Sequence, residues 1–351
     1  MSFRKIEEFP YHLAVMGKFS VESAQPSEYR LIWSRLRDCL ANIDFFLEMY
    51  KDEFVSDLHD YWGIMSSVYD FAEEYSISMA RYASTAASTG VTDRIVPIWH
   101  LAKCQTKIAE FFVESGRFDD AEAMYQKALE SWRASEKRKK DEATVTLQYG
   151  EMILTWGKML QAEKVLKHSV VLLEDAFGFE TKECAKALYL VSEAMRFQKK
   201  EAEGIHFCER SYQILSKFIW ADSKNCDLSV EGLFARCAFN LGLLNEIEGE
   251  TQMAITAYKQ AVKSFEKVMG NSHPSYCQAL ECLSNLCKSE GLLKEASENY
   301  QLLLPVKEEM SALGGSLGDI TSVQNNLAAI FVKLGDLKAA EAMYRKTIRI
   351  R

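Results

Sequence analysis

The chain has 351 residues, 48% of them hydrophobic and 26% charged, with a formal net charge of −8 and five prolines. That composition suits a folded chain with a sizeable core, and so few prolines favour long helices. The acidic balance argues against a nucleic-acid partner, whose binders need Lys and Arg to displace phosphate counterions.

The first twenty residues, MSFRKIEEFPYHLAVMGKFS, hold neither a signal-peptide apolar run nor an Arg-rich, acid-free stretch. No segment approaches the roughly eighteen uncharged apolar residues of a membrane span. The expectation is a cytoplasmic protein with no membrane insertion. Residues 28–54 place Leu31, Ile32, Leu36, Cys39, Leu40, Ile43, Phe46, Leu47 and Tyr50 at helical spacing, which predicts a helix with Ser27 as its N-cap. A second helical region spans about 57–88 and carries Ala80, Ser84 and Ala87. It reads either as a degenerate copy of the repeat that occupies the rest of the chain or as an unrelated helical hairpin capping the array.

From residue 96 onward the chain repeats itself. LAAIFVKLGDLKAAEAMYRKTI near the end matches IAEFFVESGRFDDAEAMYQKAL in the first half. Each shows an apolar helix face, a Gly, a polar turn, a small residue, a large residue four positions on and a small one three further. The frame reads Ala121-Tyr125-Ala128, Ala162-Leu166-Ser169, Gly204-Cys208-Ser211, Ala254-Tyr258-Ala261, Ala296-Tyr300-Leu303 and Ala340-Tyr344-Thr347. Its first residues are 41, 42, 50, 42 and 44 residues apart. Gly116, Gly157, Gly249, Gly291 and Gly335 precede five of the six; in the third repeat Lys199 stands where the Gly is expected. Physically, each unit is a pair of antiparallel helices that cannot bury its apolar face alone, so stacking supplies the stability. The Gly serves a turn that strains a side chain, the small residue admits close helix approach, and the aromatic on the same face fills the space to the neighbour.

This pattern resembles the tetratricopeptide repeat. Its spacing, longer than the basic repeat of about 34 residues, is similar to the kinesin-light-chain subgroup. The Gly-x-x-His-Pro joint from Gly270 to Pro274 is shared with that subgroup. The resemblance implies an all-α solenoid, with a helical region at 1–95 and six repeats over 96–351. Two departures are an extra loop at 218–229 and a Gly-rich turn at 311–319. The chain stops inside the second helix of the sixth repeat, so an apolar edge around Ile348 and Ile350 is expected. Either a longer protein continues there, or a partner covers it, including self-association.

The resemblance also implies which residues face the groove on the first helix of each pair. Glu110, Glu151 and Glu193 form one wall, Lys103, Lys186 and Arg236 the other, and Leu147, Tyr189 and Phe239 the floor; the Asn325-Asn326-Leu327-Ala328 run, continued in part by Asn285 and Asn240, resembles the light-chain groove, where side-chain amides bind a peptide backbone. No Lys occupies the fifth position of these helices, so the carboxylate clamp of some family members is not expected. Such a groove suits an extended peptide or amphipathic helix with basic residues on one side and apolar anchors on the other. Alternatively these charges pair with neighbours within the array and only solvate the groove.

Catalytic and metal motifs are missing from the sequence. The nine cysteines form no CxxC pair, and Cys277, Cys282 and Cys287 step around their helix rather than converging. They read as reduced core thiols, and His273, before Pro274, as a helix cap. The sequence contains no phosphate-binding, dinucleotide-binding, nucleophile-elbow or zinc-protease signature. Lys137-Arg138-Lys139-Lys140, among acidic neighbours, reads as a solvated inter-repeat loop. No cofactor, metal or enzymatic role is expected. The sequence reading is a protein-binding scaffold or adaptor, the alternative being a sensor or regulatory array of a larger multidomain signalling protein.

Overall fold

The computed structural model describes residues 26–51, 54–66, 68–87, 97–135, 138–221, 227–312 and 317–350. Every regular element among them is a helix, as the all-α expectation requires. Cys226, Lys137, residues 313–316 of the Gly-rich turn, and the Leu31, Ile32, Ala87 and Ile350 side chains lie outside the described residues. Contacts divide the chain into two compact units, Met1–Gln161 with Val171–Ala176, and Ala162–Val170 with Phe177–Arg351.

The first unit contains α1 (Pro26–Leu40), α2 (Ile43–Met49), α3 (Val55–Met65), α4 (Phe71–Ala87), α5 (Ile98–Glu114), α6 (Phe118–Arg133) and α7 (Lys139–Thr155). The single helix expected over 28–54 is two helices. Asn42 breaks it, its side chain accepting a hydrogen bond from the Phe45 N–H at 3.0 Å and so capping α2. The first helix begins at Pro26, a residue the opening turn tolerates, so Ser27 lies inside the helix. The region 57–88 likewise breaks, and Asp70 accepts from the Ala72 N–H at 2.9 Å. Ala80 and Ser84 are exposed; the packed face of α4 is Ala72, Tyr75 and Met79. Phe46, Tyr75 and Phe111 pack edge to face, with ring centroids 5.0–6.0 Å apart. The Trp62 indole donates to the Tyr75 hydroxyl at 3.0 Å, and that hydroxyl donates to the Leu40 carbonyl at 3.1 Å. This aromatic cluster is how the N-terminal helices seat on α5. Lys139 and Lys140 open α7 instead of lying in a loop. Lys139 pairs with Asp175 at 2.9 Å, and the Arg138 guanidinium lies 4.3 Å from the Trp99 ring centre.

One helix, α8 (Met159–Phe177), contributes residues to both units. The second unit continues with α9 (Lys182–Phe197), α10 (Glu201–Ala221), α11 (Leu228–Ile247), α12 (Thr251–Met269), α13 (Pro274–Ser289), α14 (Leu293–Ala312), α15 (Leu317–Leu334) and α16 (Leu337–Ile350). His273 caps α13 as expected: its Nδ1 accepts from the Ser275 N–H at 3.1 Å, ahead of Pro274 in the first turn.

Six helix pairs, from α5/α6 to α15/α16, share one turn chemistry. Gly116, Gly157, Gly249, Gly291 and Gly335 have φ between 73° and 88°. In each turn the N–H of that residue reaches the carbonyl three residues back at 3.0–3.3 Å. The next N–H reaches the carbonyl five residues back from itself at 2.8–3.2 Å. This closes the orphan carbonyls of the first helix. Lys199 makes the same two bonds with φ 59°, the single positive φ outside glycine among the described residues.

The small anchors behave as the repeat demands. Ala121, Ala162, Ala254 and Ala296 are fully buried, Ala340 is 3% exposed, and Gly204 is buried. Tyr125, Tyr258 and Tyr300 are buried beside them. Tyr344 is a correction: at 40% exposure it is not covered, and Ile348 on the same helix is 74% exposed. Six of the eight described cysteines are buried, and all eight are free thiols. Burial pushes Cys39 and Cys282 to about 11 and Cys104 to about 12.

Candidate binding surface

On each first helix, buried apolar residues face the second helices while a polar stripe stays near solvent. In the first unit that stripe comes from α5 and α7. Lys103 is exposed, and Glu110 and Glu151 are half-buried. Glu110 is held from both sides: Lys107 Nζ donates to one carboxylate oxygen at 2.7 Å and Gln148 Nε2 donates to the other at 3.0 Å. The Gln148 contact crosses from α7 to α5, so neighbouring first helices are joined by their polar residues. The pairing alternative therefore holds for Glu110. Leu147, expected on the floor, is 5% exposed and belongs to the core. Thr106, one repeat earlier in the same register, accepts from the Trp132 indole at 3.2 Å and is also buried.

In the second unit Arg236 on α11 is exposed, and Lys186 and Glu193 on α9 are half-buried. Tyr189 is 7% exposed; burial first, then the adjacent Glu193 carboxylate, pushes its pKa up. Phe239 is half-buried and leans on Tyr258 and Phe265, with centroids 5.8 and 6.4 Å away. Asn285 is exposed, yet its Oδ1 accepts from the Tyr300 hydroxyl. Asn325 is half-buried on α15, and its neighbour Asn326 accepts from Lys288 Nζ at 2.9 Å. Asn240 is absorbed into the interior: it accepts from Arg196 Nε at 2.6 Å and donates to Ser192 Oγ at 2.8 Å. The expected residues thus fall into the two units as separate sets. Their aromatic and aliphatic members are mostly packed, and their charged members are mostly accessible. Sequence register alone does not distinguish a floor residue from a core residue, because both recur on the same face.

Each of three segments that match tetratricopeptide-repeat family models coincides with one helix pair. They are residues 101–136 on α5/α6, 235–267 on α11/α12 and 321–351 on α15/α16. The chain carries tetratricopeptide repeats. A TPR repeat-containing protein of Dictyostelium discoideum is 21% identical over 303 residues, which is 81% of this chain and 16% of that protein. The chain therefore spans well under a quarter of that relative's length. Among solved structures it is similar to BtubC (BKLC) from P. vanneervenii, with 16% identity, 71% of this chain and 91% of that one covered, and a TM-score of 0.48. It is also similar to the apo form of RapI, with 12% identity, 80% and 91% covered, and a TM-score of 0.48. Among the described residues of this tetratricopeptide-repeat chain, no His, Cys, Asp and Glu side chains gather in threes to hold a metal, and no helix is long and apolar enough to cross a membrane.

Proposed function

We propose that the chain is a protein-interaction scaffold whose first-helix faces bind a peptide or helix of a partner. The observation that carries this reading is the segregation along those helices. Apolar residues such as Leu147 and Tyr189 are committed to the core, while Lys103, Glu151, Lys186, Glu193 and Arg236 remain partly or fully accessible. In each unit, mixed accessible charge on the first-helix face favours steering and orienting a charged partner. The ligand class is an extended or helical segment whose basic residues meet Glu151 on the face of the first unit or Glu193 on that of the second. Cytoplasmic location belongs to the same proposal.

The test compares the wild type with Glu151→Lys/Glu193→Lys in affinity purification from cell extract, read by quantitative mass spectrometry at two salt concentrations. Thermal melting checks the fold of the variant. The proposal expects partners of the wild type to be lost from the variant and their capture to fall with salt. An unchanged partner set with unchanged salt dependence refutes it. The Dictyostelium relative's greater length favours a second reading, in which the array is the binding part of a larger protein. The mass of the endogenous protein on a denaturing gel decides that point.

A further inference from the structure

A cleft of about 480 Å³ opens between α10, α11 and α12 in the second unit, bordered by two second helices and separate from the charged stripe of the first helices. Its floor is Leu241, Asn245 and Ala257, which are 7%, 3% and 4% exposed. Its rim includes Glu209, Gln252 and Met253, the last 56% exposed. Asn245 is the anomaly. Its backbone carbonyl closes the α11/α12 turn by accepting from the Glu250 N–H at 2.8 Å, but its carboxamide has no hydrogen-bond partner among the described residues. Its polar atoms are not sealed in the interior but border the cleft, where solvent or a ligand can satisfy them.

The repeat makes the anomaly sharper. The residue whose carbonyl receives that second turn bond is Phe112, Ile153, Met195, Asn245, Cys287 and Phe331 in the six repeats. Five are apolar or thiol side chains, and Phe112, Ile153, Met195 and Cys287 are fully buried. Only the fourth repeat places an amide there, and only there does it border this cleft.

We infer that this cleft is a second binding site, one that takes an extended peptide segment carrying an apolar residue next to a lysine or arginine. A carboxamide presents a donor and an acceptor in one plane, the complement of a main-chain N–H and C=O. Leu241, Ala257 and the adaptable Met253 cover an apolar side chain beside it. Glu209 is the single ionisable carboxylate of the lining, which holds no lysine or arginine, so charge complementarity selects a cation.

The experiment selects a displayed library of random hexapeptides on the full chain, then measures the enriched peptides against variants. Asn245→Met gives the fourth repeat the residue the third already has, and it is expected to fold. Enriched hexapeptides should share an apolar–basic pair and bind Asn245→Met and the rim variant Met253→Glu at least about tenfold more weakly. They should bind Glu151→Lys/Glu193→Lys as they bind the wild type, which separates this cleft from the first-helix face. Glu209→Lys should shift the selection toward acidic residues. If the carboxamide only holds water, the enriched peptides bind Asn245→Met as tightly as the wild type, and the inference falls. It falls equally if no hexapeptide is enriched.

Discussion

Replacing Lys199 with glycine should stabilise the second unit. Lys199 occupies the turn position that five glycines fill elsewhere, at φ 59°, and the left-handed region costs an L-residue roughly 1–2 kcal/mol. Steric room is not the issue: a Cβ at Gly116, Gly157, Gly249, Gly291 or Gly335 would meet nothing within 4 Å, so backbone conformation alone prefers glycine there. Glycine in turn loses about 0.4–1 kcal/mol through its freer unfolded chain. The difference leaves Lys199→Gly more stable by up to about 1.6 kcal/mol, with a midpoint of about 0.8 kcal/mol. Lys199 is exposed and makes no ion pair among the described residues, so little side-chain interaction is lost. Lys199→Ala is the control, because it removes the charge and keeps the Cβ. Native-state hydrogen exchange reads the local effect at the Lys200 amide, which bonds to the Met195 carbonyl at 3.0 Å. Slower exchange and a higher urea midpoint for the glycine variant, with alanine close to the parent, are expected. If glycine and alanine behave alike, the left-handed strain is not real.

Two further substitutions probe packing and charge, beside the charge reversal on the first-helix face. At Gly242 a Cβ would stand 2.5 Å from two carbons of the Tyr258 ring, whose hydroxyl is fixed by donating to Glu246 at 2.6 Å. Alanine gains about 1 kcal/mol of helix propensity but overpacks by about 1–3 kcal/mol, so Gly242→Ala should be destabilised in urea titration; stabilisation would show that the ring yields freely. Glu163, 8% exposed, accepts from Lys167 at 2.7 Å and Lys200 at 2.8 Å, and these cations hold its carboxyl down to about 2. A depressed acid stabilises the fold above its unfolded pKa, near 4.5, and that contribution is lost as pH falls from there toward about 2. Glu163→Gln should therefore melt lower than the wild type at pH 7, by about 1–3 kcal/mol, with the gap closing below pH 4; a gap that persists at pH 2 would point to packing instead.

The repeat was legible because its turn and anchor positions are chemically narrow. A left-handed turn asks for glycine, a helix crossing asks for alanine, and both recur at fixed intervals, so Gly116 and Ala121 could be placed from the sequence alone. Lys199 was identified as the exception in the same way, and the structure gives it the conformation of its glycine counterparts. The N-terminal helices were less legible. Asn42 interrupts an apolar periodicity that continues unbroken across it, and the apolar count does not register a side chain that caps. Tyr344 shares the sequence frame of Tyr258 but not its surroundings, because burial depends on what stacks against a helix and not on the helix itself. Among the candidate binding residues, register placed Glu110 near the surface but could not show that Lys107 and Gln148 already occupy it. Asn245 was open to discovery from sequence: aligning the six turns on their glycines exposes the lone amide.

The buried thiols give the fold a chemical clock. Thiolate is the reactive form, and burial keeps Cys39, Cys104 and Cys282 protonated at neutral pH. An alkylating reagent therefore reaches such a sulfur chiefly when its helix pair parts from its neighbours. Cys104 sits on α5, Cys184 on α9, Cys208 on α10, Cys237 on α11, and Cys277 and Cys287 on α13, so four of the six helix pairs carry native reporters. The rate at which each sulfur is modified reports how often that stretch of the array breathes, without a single introduced label.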